Sequence, residues 1–577
     1  MAGFPGGVAG AEGQIFESAR PLSQSVLWRA QNRYYEGAGQ QAWASGEVPH
    51  TLTTGPILAR SYARLIESFV ADCRAGVMGP VDPAAPLYVV EVGSGSGRLA
   101  FEVLLALDRE ALAPFHVVYV LTDRVAENIA SYPAHPMLAP LIAAGEVDWA
   151  YFEAGTSTAL RREGSGAPLD EVVNPLVLVA NYLFDVIPQD LFTTAGGALR
   201  EELVTTCAET PFPELGDPDF FRRVFLSTTP VEVPPGRYEE ARIDGLLREC
   251  AAARPEGRFL FPADALRTLD TFLRLSGGRL LCLIGERPGR VPLANPEASA
   301  VDEAIKADPA VRPGPAVLPA GGATAHRPGA LIAMGVHGGS MSLPVDLSIL
   351  ARAAAPRRVL LPEAPPTALL VAALCFGEEA PAAALRRCYA RVVGEAGPED
   401  IYLLVKAALG EGERRPVHAE HLAVLRLGGY DPYLLRLSVD GFAKEDDVLD
   451  DAELEELARV LGRTWLHDFP IDDTDLAYGI AAILAPAGAY AAALEYFGRS
   501  IERTGPRANT WYNAALCELH LGRVEDAITS LRSALALDAA YEPAETLLEQ
   551  VLGEQERDRA RAAGDTPDGG ALPSALR

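Results

Sequence analysis

Residues 87–99 read Leu-Tyr-Val-Val-Glu-Val-Gly-Ser-Gly-Ser-Gly-Arg-Leu, and no other stretch restricts the fold of this chain as strongly. A strand-forming run ends in an acid, Glu91, and passes into three glycines at alternate positions, Gly93, Gly95 and Gly97. An amphipathic run over 99–107 follows at once. That is the profile of a buried parallel strand, a tight turn and a helix start. Glycines let backbone approach a ligand where a side chain would collide. The helix N-terminus behind them carries unsatisfied N–H groups and a partial positive charge. The order is E-x-G-x-G-x-G, not the G-x-G-x-x-G of a dinucleotide site. Glu91, Gly93, Ser94, Gly95 and Gly97 are thus candidates for ligand contact, the alternative being a glycine-rich turn that binds nothing.

Strand-like runs continue downstream at 116–121 (HVVYVL), 146–152 (EVDWAYF), 176–180 (LVLVA) and 279–284 (RLLCLI), with a further one at 329–335. The wholly apolar 176–180 run fits a parallel strand covered on both faces by helices. The alternation predicts an α/β chain with a doubly wound sheet and ligands outside the C-terminal strand ends. Residues 1–20 read as loose. A helix is expected over 57–73, with Thr53 or Thr54 near its start. The upstream aromatics Tyr34, Tyr35 and Trp43 serve either packing or ligand contact. Proline punctuation marks 211–247 as an irregular insertion and 288–328 as a long loop, and from 362 to about 468 the pattern turns helical.

Strand-end acids define the next candidates. Asp123 follows the second strand, where an acid can take vicinal ribose hydroxyls. Asp148 and Glu153 compete for the position after the third strand that receives an adenine amino group, with Asp148 favoured. Behind the fourth strand stands Ala180-Asn181-Tyr182-Leu183-Phe184-Asp185-Val186-Ile187-Pro188, in which Asn181 and Asp185 fall where a donor and an acceptor would meet. A carboxylate there can bind a cation or take a proton; the alternative is a helix cap and a surface acid.

The glycine spacing is similar to that of S-adenosyl-L-methionine-dependent methyltransferases. Together, residues 91–99 and 180–192 resemble the MidA-like methyltransferases, which include mitochondrial complex I assembly factors. Leu52-Thr53-Thr54-Gly55-Pro56 looks like the loop that opens a helix upstream of the glycine turn in that family, and 336–347 is a weaker echo of its late polar stretch. The resemblance implies a Rossmann-like methyltransferase sheet with helical additions, using S-adenosyl-L-methionine. Its acceptor would be a protein side chain, arginine among the candidates. Asn181 and Asp185 would be catalytic, and Glu91, Gly93, Ser94, Gly95, Gly97, Asp123 and Asp148 would bind the cofactor. Tyr182 stands where the family usually has glutamate, which puts the arginine acceptor in question. It also keeps open an inactive scaffold, with a small-molecule methyltransferase as a further alternative.

Residues 474–507 align with 508–541 at an offset of 34, so that Gly488 meets Gly522, Ala493 meets Ala527 and Phe497 meets Leu531. Small and bulky residues recur where a tetratricopeptide repeat needs them. The expected division is a helical lobe over 1–80, the methyltransferase domain over 81–360, a helical region over 361–470, all-α tetratricopeptide repeats over 471–555 and a disordered tail over 556–577. The repeats would recruit a protein substrate or partner.

Composition narrows the classes further. The 577 residues exceed one ordinary domain, and the net charge of −28 opposes binding to nucleic acid or anionic membranes. Lysine occurs only at 306, 406 and 444, so arginine supplies nearly all of the 50 basic residues, a bacterial GC-rich signature. The seven cysteines form no C-x-x-C pair, which disfavours zinc and disulfide frameworks. With no secretory leader and no membrane-length apolar run in the sequence, a cytoplasmic protein is expected.

Overall fold

The computed structural model describes residues 14–44, 51–170, 172–208, 211–286, 334–353, 358–362, 369–377, 383–395, 397–408, 418–442, 449–471 and 474–562. The expected loop over 288–328 lies outside these residues, as do 1–13, most of the 329–335 run and the last fifteen positions. The chain divides into two compact units, 1–403 and 404–577. It is a mixed α/β protein whose first unit holds a central, mostly parallel sheet, and many helices follow.

Strands are numbered in chain order. β1 (Gln14–Arg20) comes first, then β2 (Leu87–Val92), β3 (Val117–Asp123), β4 (Val147–Tyr151) and β5 (Leu176–Asn181). After β6 (Asp190–Ala195), β7 (Ala198–Ala208), β8 (Val224–Glu232) and β9 (Gly257–Phe261) comes β10 (Leu280–Glu286). Short β11 (Gly335–His337) and β12 (Ser340–Ser342) make a hairpin, and β13 (Arg358–Leu360) and β14 (Leu370–Phe376) complete the set.

The central sheet runs β13-β14-β10-β5-β2-β3-β4. β4, β3, β2, β5 and β10 are mutually parallel, whereas β14 is antiparallel to both β10 and β13. From β2 the chain first builds β3 and β4 on one side, then returns to build β5 and β10 on the other. The strand order therefore reverses between β2 and β5, and connections leaving these two strands diverge to open a crevice at their carboxyl ends. Both faces are covered, as the apolar runs require. Val90, Val120, Ala150, Leu178 and Ile284 share one core with Leu247 and Phe272 from the helices Ala241–Ala252 and Ala263–Leu275.

Over the crevice end lies the Pro56–Arg74 helix, with proline in its first turn and Gly55 as its N-cap. Thr53 and Thr54 lie near its start, as expected, in a separate short helical turn, Thr51–Thr54. Gly55 takes the cap because its extended backbone precedes a proline whose fixed φ already suits the first helical turn. Asp72, near the other end, accepts from Ala384 N and Leu385 N at 3.0 and 2.8 Å, anchoring the start of Ala383–Tyr389.

Two stretches depart from the sequence reading within this unit. Residues 14–20, read as loose, form β1 and pair with β7. The punctuated region around 211–247 belongs to a second sheet, β1-β7-β6-β9, with β8 also paired to β7. Its buried face carries Leu191 and Val204 against Leu22, Trp28 and Phe220. The region expected to be helical from 361 opens instead with β14, whose seven residues are all buried.

In the second unit the Asp451–Leu466 helix starts with a capping box between Asp450 and Glu453. Leu476–Leu484, Tyr490–Thr504, Ala508–His520, Val524–Leu537 and Glu542–Ala562 then follow, each packed on the next. Ala515, Ala527, Ala534 and Ala544 let these helices approach closely around Leu531. Asp475 caps the first of them through Tyr478 N and also accepts from the Ser500 and Thr504 hydroxyls. The last helix continues to Ala562, beyond the point at 556 where order was expected to end, because Glu, Gln, Arg and Ala in that stretch are good helix formers.

Candidate functional site

Four adjacent parallel strands deliver polar side chains to the crevice. β2 ends in the glycine turn, where Gly93, Gly95 and Gly97 have φ of 76°, 55° and 81°. That left-handed region admits glycine without strain, so the three alternate glycines are a backbone requirement of the turn. Side chains fill the space beside them: a Cβ on Gly95 would lie 3.1 Å from the Trp43 ring, and one on Gly93 would lie 3.2 Å from Leu183. Ser94 is buried within the turn, its hydroxyl donating to Glu91 O at 3.1 Å and accepting from Thr122 N at 3.0 Å.

Asp123 ends β3 and holds the turn from the side. Its Oδ2 accepts from Gly95 N at 3.0 Å and Asn128 Nδ2 at 3.2 Å, while Oδ1 accepts from Val125 N at 2.8 Å. Burial raises its proton affinity and these three donors oppose the rise. Glu91 lies beneath, only 4% exposed, accepting from the Tyr119 hydroxyl at 3.0 Å. Burial pushes its carboxyl up to about 8, with the Tyr119 bond pulling the other way and Asp123 adding repulsion.

β5 contributes Asn181 and the turn behind it. Tyr62, from the Pro56–Arg74 helix, donates its hydroxyl to Asn181 Oδ1 at 2.6 Å, and Asn181 Nδ2 donates to Thr53 O at 3.1 Å. Tyr182 adopts φ 44°, an uncommon conformation for a bulky residue, and its N–H donates to Gly285 O at 2.7 Å. Leu183 N and Phe184 N both donate to Glu286 Oε1, at 3.0 and 2.7 Å. Asp185 is buried, and its carbonyl accepts from Leu343 N just beyond the β11–β12 hairpin. Glu286, the last residue of β10, is fully buried; burial first and the neighbouring Asp185 second push its carboxyl well above the usual range.

Aromatic residues of the N-terminal helices flank the same crevice. Tyr35 stacks on Trp43 with ring centroids 5.9 Å apart, and its hydroxyl lies 2.9 Å from Ser340 Oγ. Burial raises the Tyr35 phenol to about 12, opposed by its hydrogen bond to Ser340, with the charge of Asp185 adding to the rise. Gln31 bridges the Asp185 turn to the hairpin, donating to Val186 O at 2.7 Å and accepting from Met341 N at 2.8 Å.

The structure thus brings together Glu91, Gly93, Ser94, Gly95, Gly97, Asp123, Asn181 and Asp185. Asp148 does not join them. It pairs with Val120 in the first half of β4, remote from that strand's carboxyl end. Its carboxylate accepts from Trp149 N, Gly164 N and the Ser165 hydroxyl and faces Arg162 at 3.6 Å. That set of partners makes Asp148 the organiser of the 162–165 turn. Glu153, the competing residue, does follow the end of β4, with its N–H on Ser157 Oγ at 2.9 Å. Sequence reasoning missed Tyr62 and Glu286. Glu286 carried the signal already used for Glu91 and Asp123, an acid closing an apolar run.

No family model matches the chain, and no curated protein does. Among solved structures, an uncharacterized COG1565 superfamily protein from Burkholderia thailandensis aligns at 17% identity with a TM-score of 0.33, covering 59% of this chain and 73% of that one. Another superfamily member from the same organism, bound to S-adenosyl-homocysteine, aligns at 17% identity with a TM-score of 0.32, covering 59% of this chain and 74% of its own.

Proposed function

We propose that the chain is an S-adenosyl-L-methionine-dependent methyltransferase whose Rossmann-like sheet binds the donor at the β2/β5 reversal. The observation that carries this reading is the convergence of the glycine turn, Asp123 and the Asn181–Asp185 turn on one crevice. The donor's chemistry suits these groups. Asp123 would accept from the ribose hydroxyls through the acceptor capacity left on its carboxylate, the glycine turn would offer backbone to the amino-acid portion, and Glu153, just after β4, would take the adenine amino group. When bound, the donor supplies an electrophilic methyl on a sulfonium. Transfer by in-line displacement asks the protein chiefly for alignment and exclusion of water. Asn181, fixed by Tyr62 and Thr53 O, and Asp185, fixed by the turn, would orient the acceptor, and the Tyr35–Trp43 pair and the β11–β12 hairpin would exclude water.

The acceptor would be a protein side chain, arginine among the candidates, with the C-terminal helices acting as tetratricopeptide repeats that recruit a protein partner in the cytoplasm. A second reading, a non-catalytic scaffold, is favoured by one observation: the Trp43 ring already occupies the space over Gly95. Calorimetry with S-adenosyl-homocysteine separates the two. Saturable binding by the wild type, lost in Asp123→Ala with its circular dichroism unchanged, supports the enzyme; no binding by the wild type sinks it. Labelled donor with host lysate then distinguishes acceptors, because label confined to low-mass material excludes a protein substrate.

A further inference from the structure

The glycine turn is open at one end and roofed at the other. Gly93 is exposed, whereas Gly95, two residues on, is buried. The indole of Trp43 covers it: a Cβ built on Gly95 would lie 3.1, 3.3 and 3.4 Å from Cζ2, Cη2 and Cε2 of that ring. Near-equal distances to three consecutive ring atoms mean that the ring meets the glycine with its face. The Gly95 peptide groups are turned inward, the N–H donating to Asp123 Oδ2 at 3.0 Å and the carbonyl accepting from the Tyr132 hydroxyl at 3.1 Å. A ligand approaching this glycine therefore meets the indole first.

Trp43 is carried on a strap, residues 35–44, that runs from the β11–β12 hairpin to the helix after β3. At the hairpin end the Tyr35 hydroxyl lies 2.9 Å from Ser340 Oγ, and the Tyr35 ring stacks on Trp43. In the middle Gly39 ends the Val26–Ala38 helix with φ 49° and ψ −133°, a backbone conformation suited to glycine. Gly39 also rests against Glu127, whose Oε2 would be 2.7 Å from a Cβ at that position. Gln40 Nε2 then donates to Ser131 Oγ at 2.6 Å, at the end of the Ala126–Ser131 helix, and the Gln41–Ala44 turn brings the indole onto Gly95. Two side-chain hydrogen bonds and a ring stack are individually weak fastenings, which a ligand's binding can outweigh.

We propose that Trp43 is the gate of the crevice: its indole and a ligand seated on Gly95 exclude one another, and binding requires the 35–44 strap to swing away about Gly39. This rests on the donor reading above, which places the ligand at the glycine turn. Competition of this kind has a defined effect on affinity. When only a fraction of molecules is competent to bind, the apparent Kd rises by the reciprocal of that fraction. A gate open in about one molecule in ten weakens binding about tenfold. The ring contact thus lowers affinity, the opposite of what an aromatic side chain touching the ligand would do. It also gives position 95 a second constraint beyond its φ of 55°, since a side chain there would wedge the indole out.

Calorimetry of the full-length chain with S-adenosyl-homocysteine tests the gate. Trp43→Ala, its folding checked by circular dichroism, should bind about tenfold more tightly than the wild type. Gln40→Ala leaves the indole in place but cuts the Ser131 anchor, and should tighten binding by a smaller factor. The wild type's tryptophan fluorescence should change on binding as the indole leaves Gly95, and Trp43→Phe should lose that change. Equal or weaker binding by Trp43→Ala overturns the gate and leaves the donor reading intact, weaker binding making the ring a ligand contact. Should Trp43→Ala not fold, Gln40→Ala decides by the same comparison. Binding by Trp43→Ala alone supports the gate and makes the wild type the scaffold. No binding heat with either protein overturns the donor reading and the gate with it.

Discussion

Glu91 couples the floor of the glycine turn to pH. Its carboxyl is pushed from 4.5 up to about 8 in the folded chain, chiefly by burial, so the folded state binds a proton that the unfolded state has released over that interval. The stabilising contribution is complete below the unfolded value and is lost as pH rises through the folded one. The loss approaches ~1.4 kcal/mol for each pH unit crossed. Glu91→Gln keeps the shape and an acceptor for the Tyr119 hydroxyl but has no proton to lose. Urea unfolding at a series of pH values should therefore show the wild type weakening relative to Glu91→Gln between pH 5 and 8. Parallel curves would mean that the carboxyl is ionised in the folded chain. Tyr62→Phe tests the opposite wall: without its hydroxyl, Asn181 Oδ1 loses its 2.6 Å donor. A stability loss of about 1 kcal/mol is expected for one buried hydrogen bond, and calorimetry with S-adenosyl-homocysteine should show weaker binding if Asn181 must be held to serve the crevice.

At the scale of elements, the second sheet is tied together by Arg237, whose guanidinium donates to both oxygens of Glu201 at 2.7 and 2.8 Å and to Asp190 Oδ2 at 3.2 Å. Tyr238 donates to the same Asp190 oxygen at 2.9 Å, and Asp190 Oδ1 accepts from Ser23 N. Arg237→Ala would leave two buried carboxylates, on β6 and β7, without their cation. Breaking a buried ion pair from one side costs ~3 kcal/mol or more, so the unfolding midpoint should fall well below that of the surface control Arg222→Ala. Equal midpoints would show that water replaces the guanidinium. This sheet also marks where the sequence was opaque. β3, β5 and β10 are legible because strands buried on both faces run continuously apolar. β7 places Arg200, Glu201 and Glu202 in succession, two of them buried only because Arg237 and Arg258 meet them from distant parts of the chain. β14 is equally apolar, but its seven residues carry no mark separating a buried strand from a buried helix turn. The glycine turn and Asp123 could be read locally, since spacing alone places them at strand ends. Asp148 could not, because only register shows that it sits in the wrong half of β4, and the partnership of Glu286 with the Asp185 turn spans more than 100 residues.

For the whole molecule, every polar group of the crevice lies in the unit 1–403, and the packed helices from Leu476 to Ala562 belong to the other. A ligand that binds the folded crevice and not its opened form stabilises it by RT ln(1 + [L]/Kd), about 2.7 kcal/mol at a hundredfold excess over Kd. Amide exchange that requires the glycine turn to open should then slow on the order of 100-fold. The amides concerned are identifiable: Gly95 N on Asp123, Thr122 N on Ser94 Oγ, and Leu183 N and Phe184 N on Glu286. Hydrogen-exchange mass spectrometry of the full chain, with and without saturating S-adenosyl-homocysteine, should show slowed exchange in peptides covering 93–97, 122–128 and 181–186. Peptides within 476–562 contain none of the groups assigned to the donor and should exchange at the same rate in both samples. Protection confined to 476–562 would place the ligand away from the β2/β5 reversal and remove the geometric basis of the methyltransferase reading. Protection in the three crevice segments together would show that they respond to one ligand as a single site.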